Sequence, residues 1–328
     1  MRLLVTGGAG YVGGHAVRAL LDAGHDVTVF DNLVYGHAET VPCELVVGDL
    51  ADRPLLDSVL GGKQFDAVLH FAAYAYVGES VTEPAKYWRN NVAAGVELLD
   101  AMRANGVNKL VFSSTCATYG YPDQVPVTED EPKKPESPYG ESKLTFERVL
   151  ASYAHAYDLR SVSLRYFNAA GARPDGTLGE DHEPETHLIP LVLRVAAGRA
   201  PSIKVFGTDY PTPDGTAIRD YVHVADLADA HIAALEHLER GGPSVTLNLG
   251  TGRGSSVRDV IAAVEAASGR AVPAQEVGRR AGDIAAIWAD PRRAEAILGW
   301  RPRHGLGEIA ASAVCWAETH PNGYDDGG

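Results

Sequence analysis

The chain has 328 residues, of which 45% are hydrophobic and 22% charged, a composition typical of a soluble globular protein with one large domain or two ordinary ones. Its formal net charge of -14 argues against nucleic acid or an anionic membrane as a partner, because both carry negative charge themselves. An anionic ligand would therefore need a local group of arginines.

The three cysteines, Cys43, Cys116 and Cys315, are odd in number and far apart. This argues against a disulfide framework and for a reducing compartment. The sequence shows no signal-peptide pattern at Met1 and no apolar run of the roughly 18 residues that a membrane helix requires. We therefore expect a cytoplasmic protein without a membrane segment.

A glycine-rich turn lies between a strand and a helix at the start of the chain. Arg2–Thr6 is short and apolar, like a buried strand, and an apolar helical pattern follows the glycines. Gly7, Gly10 and Gly13 have the spacing G-x-x-G-x-x-G, which lets backbone N–H groups approach a pyrophosphate at the helix N-terminus. The arrangement predicts a dinucleotide site.

Asp31 supports this interpretation. It ends a second predicted strand at residues 26–30 and follows the glycines by about 20 residues, where a carboxylate binds the adenosine ribose. No arginine follows it directly, so NAD is favoured over NADP. An ordinary loop aspartate after a strand is the alternative.

Strand and helix patterns continue to alternate as far as about residue 165, which predicts an α/β fold with a doubly wound parallel sheet of the Rossmann type. Further strands are predicted at 44–47, 66–71, 109–112 and 160–167, and one long helix at 83–104. Ligands of such sheets bind at the carboxyl ends of the strands.

After residue 168 glycine and proline become frequent, which indicates a change of domain. We predict an NAD-binding domain at 1–168 and a smaller C-terminal substrate domain at 169–328. The two are interleaved, since residues 220–238 form a helical pattern and Val245–Leu249 a strand that is expected to return to the main sheet.

A helix is predicted to begin at Ser137 and Pro138, because serine is a good N-cap and proline suits the first helical position. Tyr139 and Lys143 are four residues apart and so share one helical face. A lysine ammonium near a phenol favours the phenolate and lowers its pKa, which would make Tyr139 a general base. A surface tyrosine beside a solvated lysine is the alternative.

Thr115 lies in a run of hydroxyl residues that closes the strand before this helix. Its side chain could hydrogen-bond a substrate oxygen that Tyr139 deprotonates. The glycine loop, Asp31, Thr115 and the Tyr139/Lys143 pair together form a far more specific set than any one of them.

In this order the motifs resemble the extended short-chain dehydrogenases/reductases, and more narrowly the UDP-glucose 4-epimerases, over nearly the whole chain. The matching stretches are 5–13 (VTGGAGYVG), 31–33 (DNL), 70–73 (HFAA), 77–80 (VGES), 90–92 (NNV), 137–143 (SPYGESK), 165–168 (RYFN), 179–181 (GED), 214–216 (DGT), 219–224 (RDYVHV) and 279–283 (RRAGD).

The resemblance implies that Tyr139 is the base, that Lys143 holds the nicotinamide ribose and tunes Tyr139, and that Thr115 hydrogen-bonds the sugar. The residues that it implies for NAD binding are Gly7, Gly10, Tyr11, Val12, Gly13, Asp31, Asn32, Asp49, Leu50, Phe71, Ala72, Ala73, Ala75, Asn90, Tyr139, Lys143 and Phe167.

The resemblance also implies a UDP-sugar site, in which Ile287 lies near the C2 substituent of the sugar. Its residues are Thr115, Tyr139, Asn168, His187, Leu188, Phe206, Arg219, Arg280, Asp283 and Ile287. Arg219 and Arg280 also make sense on chemical grounds, because a diphosphate needs guanidinium groups.

Two positions depart from the family pattern: Ala75 stands where many members have lysine, and His187 where many have asparagine. We predict no metal site. His182 and His187 are five residues apart rather than four, and Pro184 would break a helix that carried both as ligands.

The implied activity is that of an isomerase that inverts C4 of a UDP-hexose with NAD through a 4-keto intermediate. A UDP-pentose 4-epimerase, a nucleotide-sugar dehydratase or dehydrogenase and a non-catalytic NAD-binding protein are the alternatives. The family expectation for the assembly is a homodimer that pairs helix 83–104 and the helix of Tyr139 across a two-fold axis.

Overall fold

The computed structural model describes residues 1–280 and 282–324. Residue 281, within the predicted 279–283 motif, and residues 325–328 of the predicted second domain lie outside the described residues.

The first half of the chain supplies long buried strands, and the second half adds mostly short ones. The strands are β1 (Arg2–Thr6), β2 (Asp26–Asp31), β3 (Glu44–Val47), β4 (Ala67–His70), β5 (Lys109–Thr115), β6 (Arg160–Tyr166), β7 (Asn168–Ala170), β8 (Ile203–Phe206), β9 (Ile218–Arg219), β10 (Tyr221–His223), β11 (Val245–Leu249), β12 (Ser255–Ser256), β13 (Ala274–Val277) and β14 (Ala286–Ile287).

Helices connect these strands throughout. They are α1 (Tyr11–Asp22), α2 (Arg53–Gly62), α3 (Val77–Thr82), α4 (Pro84–Tyr87), α5 (Gly95–Ala104), α6 (Pro138–Tyr157), α7 (Leu188–Ala196), α8 (Val224–Glu239), α9 (Val257–Ser268), α10 (Arg292–Leu298) and α11 (Leu306–Thr319). Within the described residues no helix is both long and apolar enough to cross a membrane.

The main sheet of the described chain has seven strands in the order β11-β6-β5-β4-β1-β2-β3, all parallel. Its inner strands β1, β4 and β5 are buried on both faces, as the apolar runs in the sequence predict, whereas the edge strand β3 is only partly buried. Leu20 of α1 and Leu235 of α8 pack on one face, while Leu98 of α5 and Phe146 of α6 pack on the other. The predicted doubly wound α/β fold is therefore confirmed.

The helix predicted at 83–104 is present and continuous from Pro84 to Ala104, but its middle is π-helical. The segment consists of α4, a π-helix at Trp88–Ala94 and α5. A π-helical turn shifts the backbone register within a helix, and such turns are frequent at functional sites. Here the shift places Asn90 and Asn91 beside the end of the sheet, as described below.

The helix predicted at 220–238 begins later, because residues 221–223 form β10. The ring of His223 caps α8 by accepting a hydrogen bond from the Ala225 N–H at 3.0 Å. Asp220 is buried and accepts from the backbone N–H groups of Thr251 (2.9 Å) and Ala289 (3.1 Å). These long-range contacts override the helical pattern of the segment.

The remaining short strands pair in small sheets outside the main one, as β7 with β10, β9 with β12 and β14, and β8 with β13. Helices α7, α9 and α11 pack around them and share cores that include Val192, Val264 and Ala310. Strand β11 joins the main sheet beside β6. A domain division at residue 168 stays a prediction.

Candidate active site

A cavity of about 410 Å³ lies at the carboxyl end of the parallel sheet, within the size range of small-molecule sites. It brings together most of the residues that the sequence singled out: Gly7, Gly10, Tyr11, Val12, Gly13, Asp31, Asn32, Leu50, Phe71, Ala72, Ala73, Ala75, Asn90, Thr115, Tyr139, Phe167, Asn168, His187 and Leu188.

The glycine loop after β1 needs glycine for two different reasons. A Cβ on Gly7 would come within 2.4 Å of the Ala72 nitrogen, and one on Gly13 within 2.1 Å of the Gly7 oxygen, so packing of the chain against itself excludes side chains there. A Cβ on Gly10 would meet nothing closer than 3.5 Å. Gly10 thus leaves room beside the N-terminus of α1, where a pyrophosphate fits.

Asp31, at the end of β2, is buried beside this loop. Its carboxylate accepts hydrogen bonds from the backbone N–H groups of Ala9 (3.0 Å) and Leu33 (2.9 Å). Burial raises the pKa of Asp31, and these backbone bonds partly offset the rise. Each carboxylate oxygen can accept a further bond, so the group can still bind a ribose hydroxyl.

The π-helix fixes the loop that follows β4. The side chain of Asn91 accepts from the Tyr74 N–H at 2.9 Å and donates to the Tyr74 carbonyl at 3.0 Å. Asn91 also donates to Ser142 Oγ of α6 at 3.1 Å. One buried amide therefore ties the cavity wall to the helix that carries Tyr139.

Three tyrosines in this wall were missed by the sequence reasoning. Tyr35, Tyr74 and Tyr76 line the cavity, and the ring of Tyr35 lies edge-on to the other two at 5.7 and 5.4 Å. Lys86 Nζ is 4.1 Å from the centroid of the Tyr74 ring and pairs with Glu79, so a cation adjoins this wall although Ala75 is not lysine. Their position in loops directly after β2 and β4 was the available signal.

Helix α6 starts where the sequence predicts. Ser137 Oγ accepts from the Gly140 N–H at 3.2 Å, and Pro138 occupies the first turn. A Cβ on Gly140 would lie 2.6 Å from the Ala117 oxygen, so glycine is what lets the helix approach the end of β5. This contact brings Tyr139 and Thr115 to the same side of the cavity.

Burial raises the pKa of Tyr139, and the nearby Tyr166 raises it further, whereas a hydrogen bond with Thr115 lowers it. The phenol is therefore neutral near pH 7, and positive charge close to it would be needed to make it a base.

Lys143 is directed towards the end of β5 in this structure, and its proposed effect on the pKa of Tyr139 stays a prediction. Lys143 is buried and its Nζ donates to the Ser113 carbonyl at 2.8 Å. Burial lowers the pKa of Lys143 to about 7, with a small opposing effect of Glu147. The four-residue spacing places Tyr139 and Lys143 on the same face of α6, but it does not determine the direction in which the long lysine side chain extends.

His187 lies at the opposite wall, where it precedes α7. Its Nδ1 is 2.5 Å from Glu180 Oε1, and His182 and Glu185 complete a four-residue group within the same segment. Glu180 holds the pKa of His187 above its ordinary value although burial opposes this. The sequence argument against a metal site assumed that His182 and His187 lie on a helix. Residues 180–187 instead form a loop, which brings the two imidazoles close together.

A second group of predicted residues lies outside the lining of the cavity. Arg280 pairs with Asp283 at 2.8 Å and lies over the ring of Phe206, 5.5 Å from its centroid. Arg219 donates to the Ile284 carbonyl at 2.7 Å, and its charge lowers the pKa of Cys116, a cavity residue whose pKa burial raises to about 12. Arg219 therefore connects this second group of residues with the lining of the cavity.

Three further predicted residues, Asp49, Ile287 and Lys143, do not line the cavity. Asp49 accepts a hydrogen bond from the Asn32 side chain at 3.1 Å. Ile287 is 4% exposed and belongs to a buried cluster with Phe167, against which Cys116 packs. Ile287 thus supports the cavity wall from behind.

A doubly wound parallel sheet with this glycine loop, a carboxylate after β2 and a Tyr/Lys pair on α6 defines the class of the short-chain dehydrogenases/reductases. The chain belongs to the NAD dependent epimerase/dehydratase family, whose model matches residues 3–250.

Known relatives extend the match over nearly the full length. The chain is 52% identical over 322 residues to the UDP-glucose 4-epimerase of Corynebacterium glutamicum, covering 97% of this chain and 96% of that protein. The UDP-glucose 4-epimerase of Brucella ovis, solved in complex with NAD, is 49% identical with a TM-score of 0.94 and coverage of 95% and 97%.

The enzyme of Stenotrophomonas maltophila, solved with NAD and formylated UDP-arabinopyranose, is 42% identical with a TM-score of 0.95 and coverage of 98% and 99%. The resemblance to UDP-glucose 4-epimerases that the sequence motifs indicate is confirmed by these matches.

Proposed function

We propose that this chain is an NAD-dependent isomerase that interconverts UDP-glucose and UDP-galactose by inverting C4 through a 4-keto sugar. The observation that carries this is the half-buried Tyr139 beside Thr115 at the sheet's carboxyl end, where a dinucleotide and a second ligand can meet. An assay that follows UDP-galactose conversion to UDP-glucose tests it, and no turnover at saturating NAD would overturn it.

The residues present fit NAD. Gly10 leaves space at the N-terminus of α1, Asp31 keeps acceptor capacity for a ribose, and the aromatic wall can cover the adenosine half. Bound NAD supplies the hydride acceptor and donor for C4 and a positive charge near Tyr139. The carboxylate of Asp31 selects against the phosphate that distinguishes NADP.

In this mechanism the positive charges of bound NAD and of Lys143 would hold Tyr139 as the phenolate, which takes the proton of the sugar's 4-hydroxyl group and later returns it. Thr115 orients that hydroxyl, and Lys143 holds the nicotinamide ribose once its Nζ turns from the Ser113 carbonyl. Inversion requires that both faces of the 4-keto sugar reach the same place. The ring must therefore be held loosely while the nucleotide is held tightly.

The second group supplies the proposed nucleotide anchor. Phe206 is 38% exposed and can stack on a base, while Arg219 and Arg280 offer guanidinium groups to a diphosphate. Asn168, His187 and Leu188 line the same cavity as Tyr139. Asp283 aligns Arg280 through their ion pair.

Dehydration of the 4-keto sugar is disfavoured by the residues after Thr115. A 4,6-dehydratase needs an acid and a base there, and this chain has Cys116 and Ala117. Burial raises the pKa of the Cys116 thiol to about 12, so it stays protonated and a weak acid. Ala117 has no group to donate or accept a proton.

Cofactor content gives a direct prediction. Because the same NAD must both accept and return the hydride, we expect protein purified without added cofactor to release about one NAD per chain on denaturation. Chromatography of the released nucleotide measures this. Recovery of NADP, or activity that depends wholly on added NAD, would contradict the proposed role of Asp31.

Ile287 gives a prediction on substrate breadth. An N-acetyl group at C2 crowds a packed wall, and such crowding costs roughly 1–3 kcal/mol, or about 10–200-fold in kcat/KM. We expect UDP-N-acetylglucosamine to react that much more slowly than UDP-glucose. Ile287→Ala should reduce the ratio of kcat/KM for UDP-glucose to kcat/KM for UDP-N-acetylglucosamine, and Ile287→Tyr should increase it.

The measurement is kcat/KM for each sugar pair, with thermal unfolding as control because Ile287 is buried. Unchanged selectivity in two folded variants would show that Ile287 does not set the width of the pocket. A UDP-pentose 4-epimerase is the second candidate function, favoured by the UDP-arabinopyranose ligand of the Stenotrophomonas relative. Including UDP-xylose in the same panel decides between them.

A homodimer in the cytoplasm is also proposed. Val81 of α3 and Trp88 of the π-helix are 63% and 39% exposed, near the helices that the family resemblance pairs across a two-fold axis. Cys43, Cys116 and Cys315 are free thiols, as a reducing compartment would keep them. Light scattering in solution tests for twice the 34.8 kDa mass of the chain.

A further inference from the structure

The loop at residues 180–187 concentrates metal-binding side chains at one point of the cavity wall. Glu180, His182, Glu185 and His187 each place a donor atom so that the four atoms lie within 4.8 Å of one another. Among residues 1–280 and 282–324 this is the one group of its kind.

The spacing of these donors is close to that around a tetrahedral ion. His182 Nδ1 lies 3.4 Å from Glu180 Oε1 and 3.8 Å from Glu185 Oε2. His187 Nδ1 lies 2.5 Å from Glu180 Oε1 and 3.9 Å from Glu185 Oε1. Bonds of about 2.0–2.1 Å in a tetrahedron separate the ligands by roughly 3.4 Å, so changes of about 1.4 Å or less in these separations would complete the shell.

Burial distinguishes this group from exposed acidic residues. The side chains of Glu180 and Glu185 are only 7% and 2% exposed, and two carboxylates so close together need nearby positive charge. Nδ1 of His182 is buried and makes no hydrogen bond, although it faces both carboxylates. The ion pair of His187 with Glu180 accounts for one carboxylate, whereas His182 Nδ1 has only its longer contacts of 3.4 and 3.8 Å with the two carboxylates.

We propose that Glu180, His182, Glu185 and His187 bind one Zn²⁺ ion in a closed structural site. Two imidazoles and two carboxylates suit zinc, whereas magnesium and calcium prefer oxygen ligands alone. The charge of the ion balances that of the two carboxylates. Four protein ligands leave no open position, so the ion takes no part in the chemistry at C4.

The ion would fasten the loop ahead of α7 to the body of the protein. The ring of His182 packs edge-on against Tyr11 of α1, 6.2 Å away, and against Tyr76, 6.1 Å away. His187 is the N-cap residue of α7, and ligation through Nδ1 leaves its Nε2–H free to donate into the cavity. Zinc would thus fix one wall of the substrate cavity.

Metal analysis of the purified full-length protein tests the site. We expect about one zinc per chain in the wild type. Loss of a ligand costs at least the roughly 10–100-fold in affinity that outer-sphere partners contribute, so His182→Ala and Glu185→Gln should lose the ion during dialysis. His155→Ala, which removes an exposed histidine of α6 outside the group, is the matched control and should keep it.

Thermal unfolding gives a second readout that does not depend on epimerisation. Dialysis against a chelator should lower the melting temperature of the wild type and of His155→Ala, and ZnCl₂ should restore it, while neither treatment should shift Glu185→Gln. If His182→Ala fails to fold, Glu185→Gln and the visible spectrum of Co²⁺-loaded wild type decide.

Absence of zinc, together with equal responses of wild type and Glu185→Gln to ZnCl₂, would overturn the proposal and leave an ion-pair network. Loss of epimerase activity in a protein that still binds one zinc would instead count against the proposed function alone. The two proposals therefore fail separately.

Discussion

Replacing Tyr139 by phenylalanine should lower kcat by about 10²–10⁴-fold, the usual effect of a lost general acid–base group. Tyr139 lies beside Thr115, where the proposed mechanism places the sugar's 4-hydroxyl, and burial raises the pKa of its phenol. The variant removes one oxygen and leaves the ring, so NAD content and folding should be preserved. Steady-state kinetics with UDP-galactose measures the change.

Tyr153→Phe is the matched control. Tyr153 lies on the same helix, hydrogen-bonds Asp100 at 2.9 Å and does not line the cavity. We expect its kcat to stay close to that of the wild type. Turnover of Tyr139→Phe at the wild-type rate would refute Tyr139 as the base, and an equal loss in both variants would point to the helix rather than to the phenol.

Replacing Glu147 by alanine should destabilise the protein by about 3–5 kcal/mol, because it leaves a buried charge without its partner. Glu147 of α6 makes a bidentate pair with Arg165 of β6, with Nε 2.9 Å from Oε1, and their side chains are only 8% and 5% exposed. Ser114 Oγ of β5 donates to the same carboxylate at 2.6 Å. The network fixes the catalytic helix on the sheet one turn after Lys143.

Urea unfolding of the NAD-bound protein measures this loss. The control is Glu236→Ala, whose partner is Arg240 on the surface of α8, with side chains 57% and 64% exposed. A surface pair of this spacing contributes roughly 0.3–0.5 kcal/mol. Similar urea midpoints for the two variants would show that the buried pair does not anchor α6.

Much of the scaffold could be predicted because its signals are local. β3 runs over Glu44–Val47 as predicted, and α6 begins after Ser137 because capping and the fixed φ of Pro138 act within one turn. The glycine spacing predicted the turn after β1, since Gly7 and Gly13 exclude side chains through contacts of the loop with itself and with Ala72.

The helix predicted at 83–104 and the Tyr139/Lys143 pair show where local reasoning ends. The π-helical turn at Trp88–Ala94 coincides with a hydrogen bond from Asn91 to Ser142, 51 residues away, which no local pattern reveals. Helical spacing placed Tyr139 and Lys143 on one face of α6. Burial, which the spacing does not reveal, raises the pKa of Tyr139 and lowers that of Lys143, and Lys143 Nζ donates a hydrogen bond to the Ser113 carbonyl.

The sequence by itself therefore determined the order of strands and helices, the glycine loop and the candidate reactive side chains, because backbone preference and chain adjacency act over a few residues. Only the tertiary structure decided the surroundings of Tyr139, the position of Ile287 behind the wall and the meeting of Glu180, His182, Glu185 and His187. These depend on burial and on how loops fold in space, and both are set by contacts between distant parts of the chain.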